Sequence, residues 1–134
     1  MAGKTVTMVK AYTLEGAAID DKIVVVKGSA EGSCKKCDSE NVSLASFIGV
    51  TQEDQDNVGN AVAVASAEIL DAYADGSISD GDELVTTSAG KLQTIANSSL
   101  ESAQVANVVA IAESDASDGE VVKARIVRYK KTVA

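Results

Sequence analysis

Gly16–Val26 reads GAAIDDKIVVV and Gly76–Thr86 reads GSISDGDELVT. Ile48–Val64 reads IGVTQEDQDNVGNAVAV and Val109–Arg125 reads VAIAESDASDGEVVKAR. Both pairings lie about 60 residues apart once one or two small gaps are allowed, which matches Val24/Val25 to Leu84/Val85 and Val62 to Val122. A fixed offset of that size marks one supersecondary unit written twice. The pattern predicts an all-β fold, a small barrel or sandwich built from two similar repeated units with short strands and Gly/Asp-rich turns. It places an N-terminal arm or strand at residues 1–13. A single β domain follows at 14–134, with repeats at about 14–73 and 74–128 and a short basic C-terminal tail.

Composition agrees with a β core. The apolar residues are mainly Val, Ala and Ile, with one Phe, three Tyr and no Trp. Valine and isoleucine are stiff at χ1 and fit a pleated surface. There is no Pro, so Gly, Asn, Asp and Ser must make the turns. A length of 134 residues is enough to bury a core without disulfides or metals.

The individual strands follow from alternation and turn signals. Thr5–Tyr12 alternates loosely and reads as a strand or extended arm. Ile23–Lys27 stops at Gly28-Ser29, and Cys34–Val42 holds a short return strand. Phe47–Thr51 precedes the acidic loop Glu53–Gly59, and Ala61–Ala65 alternates again. Ala63–Ala74 has helix-favouring Ala, Glu and Leu, but its partner in the repeat is β-branched, so Glu68–Tyr73 is read as strand. In the second unit the strands are Glu83–Thr87, Leu92–Ile95, Val105–Ala112 and Glu120–Arg128. Ser88–Lys91 forms a hairpin turn, and Asn97–Gln104 is a loop or one helical turn.

Charge excludes some roles. The net charge is −8, and nucleic-acid binding needs clustered Lys and Arg. The cations are scattered except for Arg125, Arg128, Lys130 and Lys131. No nucleic-acid partner is therefore expected, and the acidity serves solubility. The N-terminus lacks the apolar run of a signal peptide, and no stretch approaches a membrane span. The expectation is synthesis in a reducing cytoplasm, with no membrane partner and no structural disulfide.

The strand-entry motif GD-x-[LV]-V stands at Gly81–Val85, and the turn [SA]-A-G-K-L at Ser88–Leu92. The hairpin G-V-x-x-E-D…G-x-x-V-x-V stands at Gly49–Val64, with a weaker copy at Ala110–Ala124. In this pattern the chain resembles the capsid cement, or head decoration, proteins of tailed bacteriophages, from about Leu14 to Arg128. It departs at Asp21-Lys22, which stand where the second copy has Gly81-Asp82, and at Ala110, where the first has Gly49. The resemblance implies a structural virion protein on the outer surface of the head. It implies binding to the major capsid protein lattice, no catalysis, no cofactor, and a homotrimer. Many copies making modest contacts would together give large stabilisation. The alternative is a soluble ligand- or carbohydrate-binding β-barrel module, which four unclustered aromatics disfavour.

Four features were weighed as sites. Cys34-Lys35-Lys36-Cys37 is half a zinc or redox motif, but the chain has no His and no further Cys. The repeat aligns Cys34 with Leu92 and Cys37 with Ile95, and residues i and i+3 on a strand point to opposite faces. Both cysteines are expected reduced and metal-free. Asp54–Gly59 begins like a calcium loop, but Val58 and Ala65 break the ligand pattern. Carboxylate pairs such as Glu53/Asp54 and Asp80/Asp82 fall in turns, with no His to act as base, so no enzyme is expected. Contact with the capsid or a neighbouring subunit is assigned to Thr5, Val6, Thr7 and Met8 of the arm and to Arg125, Arg128 and Lys130. The basic end reads equally well as a solvated, frayed terminus.

Overall fold

The computed structural model describes residues 8–134. They form ten strands: β1 Val9–Leu14, β2 Val24–Lys27, β3 Ser33–Lys36, β4 Phe47–Thr51, β5 Ala61–Ala65, β6 Ile69–Tyr73, β7 Glu83–Thr86, β8 Leu92–Thr94, β9 Val105–Ala112 and β10 Val121–Thr132. The described residues contain no helix. The all-β reading holds, including for the Ala-rich stretch after Ala65, which forms β6 rather than a helix. Glu68, at φ 64°, separates β5 from β6.

β1–β5 close into a barrel in the order β1-β3-β2-β4-β5, and β6–β10 form an open sheet in the order β6-β10-β9-β7-β8. Matching β1–β5 to β6–β10 in turn gives one order for both. The barrel closes through the parallel pair Leu14↔Cys34. The second sheet carries the equivalent parallel bridge, Ala74↔Leu92. The bridges Ile19↔Gln55 and Ile78↔Ala116 also correspond. So do the hydrogen bonds from Gly59 N–H to the Leu14 carbonyl and from Gly119 N–H to the Ala74 carbonyl, both 2.8–2.9 Å. Both glycines take the left-handed conformation, at φ 94° and 80°, where a Cβ would be strained.

Three expectations need correction. First, the Thr51 amide binds the Ile23 carbonyl as the Ala112 amide binds that of Asp82. Val24/Val25 therefore correspond to Glu83/Leu84, not to Leu84/Val85. The second unit has one residue, Ser77, between its Gly and Ile where the first has Ala17-Ala18. Strand geometry makes that shift consequential, because one residue moves every side chain to the other face. The pairs Tyr12↔Val62 and Ala72↔Val122 keep the offset of 60. Second, of the two readings of the N-terminus, the arm falls and the strand holds for residues 9–13. They pair with β5 from Val9↔Ala65 to Thr13↔Ala61, and Thr13 and Leu14 pair with β3. Third, the closing strand runs to Thr132, so Lys130 and Lys131 lie within β10 rather than in a tail.

The core has two parts. Leu14, Ile19, Val25, Cys34, Ile48, Val62 and Val64 fill the barrel. Val24, Val26, Phe47, Val50 and Ala65 point the other way and pack with Leu70, Ala72, Leu84, Leu92, Val109 and Val122 of the second sheet. Both faces of β2 are therefore buried, which is why it reads VVV without alternation. A bulge between Val25 and Val26 in the β2–β4 ladder lets Phe47 and Val50 share the outer face. Backbone bonds also cross between the units, from Val24 N–H to the Gly90 carbonyl and from Asn41 N–H to the Thr86 carbonyl. The two units thus share one apolar core and form one body.

Candidate functional site

The twelve residues of β10 include Lys123, Arg125, Arg128, Lys130 and Lys131, and no acid. Most of this charge is used within the molecule. Lys123 pairs with Asp71 at 3.3 Å and Arg125 with Glu113 at 3.1 Å, both across neighbouring strands. Lys131 Nζ and the Tyr129 hydroxyl both donate to the Glu83 carboxylate. Glu83 is held below the usual carboxylate range by Lys131 first and Tyr129 second. The Tyr129 hydroxyl is pushed up to about 12 by desolvation and the adjacent anion.

Arg128 does something different. The β9–β10 ladder slips between Ile126 and Tyr129, where two residues oppose one. Such a bulge re-aims a side chain. Here the guanidinium reaches the first unit, donating to the carbonyls of Phe47 at 2.9 Å and Ile48 at 3.0 Å. It also stacks 4.8 Å from the Phe47 ring centroid. β5 pairs with β4 only at Val50 and Thr51, so these two carbonyls have no strand partner on that side. Desolvation lowers the Arg128 pKa. Its role within this fold is a clamp between the units.

The expected contact residues thus separate. Thr5, Val6 and Thr7 lie outside the described residues. Met8 is exposed, and its carbonyl accepts the Ser66 amide at 2.9 Å. Ser66 also lines a shallow cleft of about 420 Å³ with Glu68, Arg125 and Arg128. Met8 and the cleft that these two arginines line therefore both border Ser66 of the β5–β6 linker. Lys130 lies further along β10, exposed and without an ion-pair partner among the described residues.

Glu15 is the most strongly perturbed carboxylate among the described residues, and no motif marks it. Its oxygens accept from the hydroxyls of Ser29 and Ser33 and weakly from the Ala30 amide. These bonds, Ser29's first, hold its pKa at about 2. Gly28 makes the room, since a Cβ there would stand 1.7 Å from Glu15 Oε2. A carboxylate so acidic is a poor general base for the serines beside it. The sign of the pH effect is fixed: a folded pKa below the unfolded one gives stability that is complete above the ordinary carboxylate pKa, about 4.3, and is lost as pH falls towards 2. Wild type should therefore lose stability over that window relative to Glu15→Gln. Parallel urea titrations at pH 5 and pH 3 check this, and equal losses in both proteins would refute it.

The other acids cap turns. Asp54 Oδ1 accepts the Asp21 amide and Asp115 Oδ1 the Asp80 amide, each at 2.8 Å, in matching places of the two units. Glu53 accepts the Ala63 amide, and Asp118 that of Gly76. The stretch resembling a calcium loop is thus a hydrogen-bonded hairpin turn. Among the described residues no three acids, Cys or His gather in a metal-holding group.

Cys34 and Cys37 are both free and fully buried, and they belong to different parts of the core. Desolvation, helped by Glu15, pushes the Cys34 thiol up to about 11, and burial also raises Cys37. The thiolate is the reactive form. Native protein at pH 8 should therefore leave a disulfide reagent unreacted, and both thiols should appear on unfolding in urea. Two equivalents of rapid labelling without denaturant would contradict this.

No protein-family model matches the chain, and no curated protein matches it in sequence. Its fold is shared with a solved structure, the N base of the head fibre gp8.5 of bacteriophage phi29. The TM-score is 0.66 at 17% identity, over 94% of this chain and 98% of that one. The likeness covers both units together.

Proposed function

We propose that this chain is a structural protein of a tailed-phage virion that sits on the outer surface of the head and reinforces the major capsid protein lattice. The observation that carries the reading is the end-to-end sharing of a two-unit β fold with a head-fibre base. The interior supports it. Side chains of Leu14, Val25, Cys34, Val62 and Val64 are buried inside the barrel, as in small barrels whose interior is core. The strongly shifted acid is bound to serines, and the thiols are buried. A shared core, cross-unit backbone bonds and the Arg128 clamp suit a part that must transmit force without changing shape.

The test is attachment. Heads assembled without this protein should bind the purified chain saturably and carry it down on sedimentation. Coated heads should keep their DNA to a higher temperature than bare ones. Protein left wholly in the supernatant over bare heads would refute the reading. Sedimentation velocity of the free chain would check the expected homotrimer.

A further inference from the structure

β10 runs past the end of its neighbour. β6 pairs with it only from Val121↔Tyr73 to Arg125↔Ile69, while β9 follows it to Thr132↔Val105. The counterpart of β10 in the first unit, β5, has no such overhang, because the chain turns at residues 66–68 into β6. From residue 127 onward, then, β10 has a neighbour on one side only among the described residues. The phase of the ladder shows which groups are left open. Val133 exchanges with the residues that lead into β9, its amide donating to Gln104 and its carbonyl accepting from Ala103, both at 2.8 Å. Alternation then turns the backbone groups of Lys131 and Tyr129 towards β9. Those of Lys130 and Thr132 face outward, with no strand beside them among the described residues.

We propose that this open edge of β10 receives an extended, acidic segment of a partner protein as an added strand. Three observations fit that occupant. The edge offers unpaired backbone donors and acceptors, which is what strand addition uses. It is held ready, because Tyr129 and Lys131 anchor the ribbon to Glu83 of β7. A rigid edge loses little entropy on binding. Its charge favours an acid: the open stretch carries Arg128, Lys130 and Lys131 and no acid, and although Lys131 is paired with Glu83, Lys130 at the centre of the edge has no acidic partner among the described residues. A second copy pairing β10 with β10 would set Lys130 near its own mate, which is unfavourable. An acidic strand places carboxylates there instead. The proposal deepens the head-surface reading, in which the capsid lattice supplies the segment.

The test uses the whole chain, isotope-labelled, with amide exchange followed by NMR. The probe is a ten-residue alternating Thr-Glu peptide, with Thr-Lys as its control. Saturating Thr-Glu should slow exchange at Lys130 and Thr132 by about tenfold while leaving Lys131 and Val133, already paired, unchanged. Thr-Lys should change nothing. Lys130→Pro removes an outward amide without breaking the β9 ladder, which proline tolerates on an edge. It should abolish the effect at Thr132 while Lys131 and Val133 stay protected. If that variant loses the ribbon, Lys130→Glu keeps the backbone and should weaken Thr-Glu protection. No slowing by Thr-Glu overturns the proposal, as does equal slowing by both peptides. So does protection of Lys130 and Thr132 that rises with protein concentration alone, since a second copy would then fill the edge. In the head assay, wild type binding while Lys130→Pro fails supports the edge as the attachment. If both bind equally, the edge is not the attachment and the head reading stands. If neither binds but the peptide result holds, the head reading fails and the edge proposal survives.

Discussion

Gly49→Ala should destabilise the protein by about 3 kcal/mol or more, the largest loss expected from adding one methyl group to this chain. A Cβ at Gly49 would stand 1.9 Å from the Ala65 carbonyl oxygen and 2.8 Å from its carbon. Both are backbone atoms at the point where β5 leaves β4, so no side chain can swing aside. Either β4 or β5 must shift, and both line the barrel core. The second unit supplies the control. Val25↔Gly49 in the first corresponds to Leu84↔Ala110 in the second, so alanine occupies the equivalent place. There the neighbouring strand continues in register one pair further, through Ile126↔Ala110, before its bulge. Ala110→Gly should therefore cost less, about 1–2 kcal/mol, from backbone entropy and the one buried methyl it removes. Urea midpoints with unchanged slopes measure both. Losses of equal size at the two positions would show that the close approach to Ala65 is not what requires glycine.

The same pair shows how far the sequence could be read. Gly49 against Ala110 is visible as a departure between copies, yet only the closed barrel explains it. The strands Phe47–Thr51, Ala61–Ala65 and Val105–Ala112 were legible to the residue, because β-branched runs there stop abruptly at turn chemistry. The repeat rightly overruled helix propensity after Ala65. The two ends were less legible for one reason: the N-terminal stretch stood between strand and arm, and Lys130 and Lys131 read as a tail. Lys10 and Tyr12 in β1, and Lys130 and Lys131 in β10, are polar residues on strands with an exposed face, where alternation is weak. The sites were the least legible. Glu15 meets Ser29 and Ser33 only because β1 ends beside the β2–β3 loop. Asn41 reaches β9, accepting the Asn107 amide at 2.7 Å across 66 residues. Nothing periodic or compositional announces such meetings. Arg128 was singled out for its charge, but its orientation depends on a bulge that no local signal marks.

Arg128→Ala should destabilise the protein by about 2 kcal/mol, and added salt should not narrow the gap to wild type. The partly buried carbonyls of Phe47 and Ile48 lose their donors in the variant. Hydrogen bonds from charged groups are worth about 1.5–3 kcal/mol, and acceptors left unpaired add to the loss. Exposure of the rest of the side chain keeps the total near the lower end. Salt matters little because the partners are neutral carbonyls and an aromatic face rather than a carboxylate. Arg128→Lys separates geometry from charge. Lysine keeps the cation but cannot donate to both carbonyls in a planar fork, so it should recover less than half of the loss. Arg125→Ala, which removes a surface ion pair to Glu113, should cost under about 1 kcal/mol and become neutral in high salt. If Arg128→Lys matches wild type, charge alone suffices and the two-carbonyl clamp is not what joins β10 to β4. If Arg128→Ala is no less stable than wild type, the shared core carries the union of the units by itself, and Arg128 is released for the outer surface.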